Sequence, residues 1–89
     1  MAVISGIVDP DGVIVRKKGD FKVASKTTTL LEVDFKGLNV SKAFLTATPW
    51  RGDSDIGPAA LATSPRPGKV TRLLFAIDAY YGVSFRVET

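Results

Sequence analysis

Apolar and polar residues alternate with a period of two along most of the chain, and helical spacing of apolar residues is largely missing. Residues 2–8 (AVISGIV) run into Asp9-Pro10-Asp11-Gly12, where Pro presets the second turn position and Gly accepts a positive φ. Residues 13–17 (VIVRK) return, so the spacing predicts a first hairpin. Lys18-Gly19-Asp20 turns the chain into FKVAS, with Phe21 and Val23 on one face and Lys22 and Ala24 on the other. In TTLLEVDFK, Thr29, Leu31, Val33 and Phe35 point inward, opposite Leu30, Glu32, Asp34 and Lys36. Gly37 breaks the pattern.

The second half continues in the same style. Residues 42–50 (KAFLTATPW) read as a strand that Pro49 ends. A polar, proline-containing loop is expected over 50–69, with room for a helical turn at 58–62 behind an N1-type proline. Leu73, Phe75 and Ile77 share one face of the strand over 69–78, and Ala79-Tyr80-Tyr81-Gly82 turns the chain. Val83, Phe85 and Val87 then alternate with Ser84, Arg86 and Glu88. The whole predicts one domain over residues 1–89, an all-β antiparallel sandwich of six to seven strands. Ile4, Leu30, Phe44 and Leu74 fall opposite the presumed core positions of their strands, and such two-faced strands in so small a domain point to an oligomer.

Composition narrows the function. The chain has 89 residues, no Cys and no His, which excludes a Ser-His-Asp triad, a thiol nucleophile, a disulfide framework and a Cys/His zinc site. No cofactor is implied. No run reaches the ~18 apolar residues of a membrane-spanning helix, so membrane insertion is not expected, and no signal segment is read at the start. The net charge of +3 is too small and too scattered to require nucleic acid. Enzyme activity is not expected. Carboxylate pairs drawn from Asp53, Asp55, Asp78 and Glu88 remain formally available, but no pattern buries one to raise its pKa.

The candidate ligand-binding residues are Trp50, Arg51, Asp53 and Asp55, with Tyr80 and Tyr81 second. Trp50 is the sole tryptophan and stands at a strand end before a polar loop. Aromatic faces stack on sugar C–H surfaces, and the neighbouring charged groups reach hydroxyls. The competing role for each aromatic is packing beneath the loop or within a subunit interface. Asp53-x-Asp55 offers two oxygens to a hard cation, too few without loop carbonyls, and no metal is assigned. Arg51-Gly52-Asp53 matches an integrin-binding tripeptide, a motif too short to carry that role.

The order of landmarks carries a resemblance. Gly6-x-Val8 with Asp11-Gly12, Gly19-Asp20-Phe21-x-Val23, Val33-x-Phe35, Ala43-x-Leu45-x-Ala47-Thr48-Pro49 and Gly82-Val83-Ser84-Phe85-Arg86-Val87 form the series. It resembles the small C-terminal receptor-binding modules of phage tail fibres and related surface proteins, which are similar to the H-type lectin sandwich. The resemblance implies an H-type lectin-like fold, a homotrimer or homohexamer, glycan binding at interprotomer clefts or loop tips, and a virion-associated or extracellular setting. Leu31 replaces the aromatic of that pattern, and the insertion between Pro49 and Lys69 is longer. Two other functions compete. One is a purely structural assembly subunit whose loop 50–69 wraps a neighbour. The other is a small barrel for single-stranded nucleic acid using Phe21, Phe35, Phe44 or Phe85 beside Lys17, Lys18, Lys22 and Lys26.

Overall fold

The computed structural model describes residues 2–51, 61–77 and 80–89. Their fold is all-β, with eight strands: β1 (Val3–Val8), β2 (Ile14–Lys18), β3 (Lys22–Lys26), β4 (Leu30–Asp34), β5 (Phe44–Trp50), β6 (Leu61–Arg66), β7 (Lys69–Ile77) and β8 (Gly82–Glu88). They form two antiparallel four-stranded sheets, ordered β2-β1-β8-β5 and β3-β4-β7-β6.

The β1–β2 hairpin forms where the turn chemistry places it. Asp9 Oδ1 accepts bonds from the backbone N–H groups of Asp11 and Val13, each at 2.9 Å, and Gly12 N–H donates to Asp9 O at 2.9 Å. A carboxylate that satisfies its own turn in this way explains why Asp stands ahead of the proline.

The core lies between the sheets. Phe21, Phe35, Phe75 and Phe85 are all at most 3% exposed. Phe85 of β8 is the hub: Phe21 and Phe35 meet it edge-on at centroid distances of 5.1 and 5.6 Å, and Phe75 stacks at 5.6 Å. Edge-to-face and offset-stacked pairs add about 0.5–1.5 kcal/mol each beyond area burial. Val8, Leu31, Val33, Leu73, Val83 and Val87 fill the space around the rings. The alternations read for Leu31, Val33 and Phe35, for Leu73, Phe75 and Ile77, and for Val83, Phe85 and Val87 are those of the buried faces.

Several expectations are corrected. The described residues form eight strands, not six or seven, because Leu61–Arg66 is a strand within the segment read as the loop 50–69. Leu61 and Ala62 are therefore extended and not part of a helical turn; the rest of that turn, 58–60, lies outside the described residues. Leu61 packs on the core and Arg66 meets Lys69 across a tight turn in which Gly68 has φ +75°. Pro49 does not end β5, which runs on to Trp50. Both Pro49 and Pro65 sit in edge strands, where a missing N–H costs no ladder bond on the solvent side.

Ile4 belongs to the core at 8% exposure, in phase with Gly6 and Val8, while Thr29 is exposed just before β4. The remaining outward apolar residues do not form one patch. Leu30 and Leu74 lie on the outer face of the second sheet, as neighbours of the Leu30–Ala76 and Glu32–Leu74 pairs. Phe44, 82% exposed, lies on β5 in the first sheet.

Candidate ligand site at one end of the first sheet

The β5–β8 register decides which candidate residues meet. Trp50 lies opposite Gly82 and Pro49 opposite Val83, so the end of β5 runs beside the start of β8. Arg51, the residue after Trp50, therefore reaches Tyr81, the residue before Gly82. Its guanidinium carbon stands 5.8 Å from the centre of the Tyr81 ring. Such a cation–π contact is worth about 0.5–1 kcal/mol at an exposed site, enough to bias where an exposed arginine rests.

Trp50 shares the strand phase of Phe44, Thr46 and Thr48, opposite the core-packed Leu45 and Ala47, and is half-buried. Tyr81 is also half-buried, whereas Tyr80 is 74% exposed. Four of the six sequence-selected residues, Trp50, Arg51, Tyr80 and Tyr81, thus gather at one sheet end. Asp53 and Asp55 lie outside the described residues, as do Gly52 of the tripeptide and Asp78. Glu88 stands at the opposite end of β8, paired with Arg86 at 3.1 Å.

Gly82 lets the start of β8 pass close to the end of β1. A Cβ on it would lie 1.9 Å from Val8 O and 2.8 Å from Asp9 Cα, so the β8 backbone passes the end of β1 with no room for a side chain. The Asp9–Gly12 turn is thereby fixed next to the tyrosine turn. The strand ends carry Trp50 in the outward phase of β5, the Arg51–Tyr81 pair one residue further along, exposed Tyr80, and in Arg51 a guanidinium with five N–H donors. Strand-anchored aromatics with a positioned donor suit a flat ligand carrying hydroxyls.

A second polar cluster was not singled out from the sequence. Glu32, on the outer face of β4, is 8% exposed and lies between two arginines. Arg66 Nε approaches Glu32 Oε1 at 3.3 Å, and Arg72 Nη1 approaches Oε2 at 3.5 Å. Arg72 Nε also stands 3.8 Å from Asp34 Oδ2, and Ser25 Oγ donates to Glu32 Oε2 at 3.5 Å. Alternation places Glu32 and Asp34 on the outer face, but only the β6–β7–β4 order brings Arg66 and Arg72 to them. The cluster ties strands together and leaves the sheet end as the candidate site. No protein-family model, characterised protein or solved structure matches the chain.

Proposed function

We propose that the chain is a non-enzymatic, oligomeric recognition module that binds carbohydrate at the Trp50–Arg51–Tyr80–Tyr81 end of the first sheet. It belongs on this reading with the H-type lectin-like modules of tail fibres and surface proteins that its landmarks resemble. The observation that carries the reading is the Arg51–Tyr81 contact at the end of the β5–β8 ladder, with Trp50 one residue away on the outward phase of β5. A sugar ring laid on an aromatic face buries its C–H surface, and Arg51 donates to hydroxyl oxygens around it. Phe44, at 82% exposure, favours the oligomeric part, because a large apolar side chain in water gains from cover by another protomer. Burial of Phe21, Phe35 and Phe85 leaves the stacking-barrel alternative only Phe44, which supports the carbohydrate reading over it.

The test is a glycan array probed with the native chain and with Trp50→Ala and Tyr81→Ala. Loss of a stacking ring is expected to weaken binding by about 1–3 kcal/mol, roughly 5- to 150-fold, with the solution mass unchanged. Glycan binding at the native level by both variants would overturn the site. Loss of assembly in Trp50→Ala would move that residue to a subunit interface.

A further inference from the structure

We propose that the open side of the molecule formed by the β2 and β3 edges is a second binding surface, for an anionic polysaccharide bearing sulfate or carboxylate groups. This goes beyond the reading above and does not depend on it. Residues 16–26 hold five of the twelve Lys and Arg (Arg16, Lys17, Lys18, Lys22 and Lys26) and one of the nine Asp and Glu (Asp20). That segment alone is +4, more than the whole chain's +3, so the remainder is net −1. The entire positive excess is on this one segment.

The fold wraps the segment around one edge of the sandwich: Arg16 and Lys18 pair with Ile7 and Ser5 on the outer face of the first sheet, Lys22 pairs with Asp34 on the outer face of the second, and Lys17 and Lys26 take the inward phase between them. β2 and β3 are each the outermost strand of their sheet, and Phe75 of β7 stacking on Phe85 of β8 aligns the two sheet orders, which sets β2 and β3 on the same side. Two close approaches confirm the adjacency: a Cβ on Gly12 would lie 3.2 Å from Lys26 Cβ, and Lys17 Nζ stands 5.4 Å from the centre of the Phe21 ring. Arg16, Lys17, Lys18 and Lys22 are exposed, and none has an ion-pair partner among the described residues. Lys26 donates to Thr27 O. The acidic groups near them are Asp20, in the turn between the two strands, Asp9 and Asp11, in the turn that leads into β2 and lies against Lys26, with Asp9 Oδ1 occupied by its own turn, and Asp34, which faces Lys22 in the ladder but is paired with Arg72. At about 3.3–3.4 Å per residue, Arg16 and Lys18 stand roughly 7 Å apart along one side of β2, a spacing that suits a chain with regularly repeated anions.

Lysine on an edge strand also discourages edge-to-edge pairing. The other two edges show how little that needs: β5 contains no Lys or Arg and carries Pro49, and β6 carries Pro65 with its one arginine, Arg66, committed to Glu32. Five cations on β2 and β3 exceed that need. A single-stranded nucleic acid would want stacking rings among the cations. Phe21, the aromatic of this segment, is 1% exposed, and Phe44 is on β5 at the far side. Charge without a stacking surface fits an acidic polysaccharide.

The experiment measures binding of the full chain to dextran sulfate, neutral dextran and an oligothymidylate of matched charge, across a salt series. Dextran sulfate is expected to bind with affinity that falls steeply as salt rises, through counterion release. Neutral dextran is expected not to compete for this surface. The triple change Arg16→Gln, Lys18→Gln and Lys22→Gln is expected to lower dextran sulfate affinity about tenfold or more and flatten the salt dependence. Lys36→Gln, Lys42→Gln and Lys69→Gln remove the same charge from exposed positions elsewhere and are expected to have a much smaller effect. Each β2 and β3 substitution is also read singly, so a folding failure of the triple leaves the test intact. Equal loss from both triples, tighter binding of the oligothymidylate, or no binding of dextran sulfate would each overturn the proposal.

Discussion

Gly6 sits on the core-facing side of β1 between Ile4 and Val8, where a side chain would ordinarily pack. The Phe21 ring takes that space: a Cβ on Gly6 would lie 2.4 Å from Phe21 Cζ, 2.7 Å from Cε2 and 2.9 Å from Arg16 O. Ordinary carbon contacts fall at about 3.5–4.0 Å, so Gly6→Ala requires the ring to retreat by about 1 Å. The ring has little freedom, being 1% exposed and held edge-on to Phe85 at 5.1 Å and tilted to Phe35 at 6.1 Å. Overpacking of this kind costs about 1–3 kcal/mol, and weakening the aromatic pairs adds about 0.5–1.5 kcal/mol. Replacing glycine in a strand returns about 0.5–1 kcal/mol through lower backbone entropy. The net expectation is a loss of about 2–3 kcal/mol, or roughly 10–20 °C in Tm for a domain of this size. Urea unfolding at one fixed protein concentration measures it, with the midpoint lowered and the slope unchanged. Phe21→Leu removes the atoms that clash, so the double variant should be at least about 1 kcal/mol more stable than the sum of the single losses requires. A Gly6→Ala chain within about 0.5 kcal/mol of the parent, or a double-mutant cycle that is additive, would refute the packing argument.

Gly82→Ala should be more damaging, by over about 3 kcal/mol, because its new methyl meets the Val8 carbonyl oxygen at 1.9 Å and backbone cannot swing aside as a ring can; chemical denaturation measures the loss. Glu32→Ala should cost about 1–2 kcal/mol, less than the loss of a fully buried pair, since Arg66 and Arg72 keep side-chain exposures of 48% and 30% and can turn to water. In the same chemical denaturation assay Arg66→Ala should cost no more than about 1 kcal/mol. Phe44→Ser should change the intrinsic stability of the domain by less than about 0.5 kcal/mol but lower the solution molar mass measured by light scattering. An unaltered assembled mass would remove Phe44 from any subunit contact.

The strands with clean alternation were legible from sequence because each has one face in the core and one in water. Val83, Phe85 and Val87 show it best, with Ser84, Arg86 and Glu88 between them. β6 was missed for the converse reason. Its inward positions are Leu61 and Thr63, its outward ones Ala62 and Ser64, and Pro65 follows, so hydrophobic contrast is slight and the proline reads as loop. Only its place at a sheet edge makes Pro65 acceptable. Ile4 was assigned to the wrong face because Val3 and Ile7 compete with it as apolar neighbours, and the space left by Gly6 for Phe21 is a tertiary fact. Val40, 2% exposed, lies beyond the break at Gly37 and is held by its N–H bond to Val70 O at 2.8 Å, a partner thirty residues away. At the candidate site, the residue types drew attention to Trp50 and Tyr81 separately. Placing Trp50 opposite Gly82, and so Arg51 against Tyr81, required the β5–β8 register, which no local signal contains.

Trp50 is the single tryptophan, so its emission reports directly on the sheet end where carbohydrate is proposed to bind. The most direct measurement is a fluorescence titration of the native chain and of Tyr81→Ala with a panel of mono- and disaccharides. A saturable change in Trp50 emission is expected with at least one sugar, weakened or abolished in Tyr81→Ala. Emission that is unchanged by every sugar, or that responds identically in both chains, would contradict it.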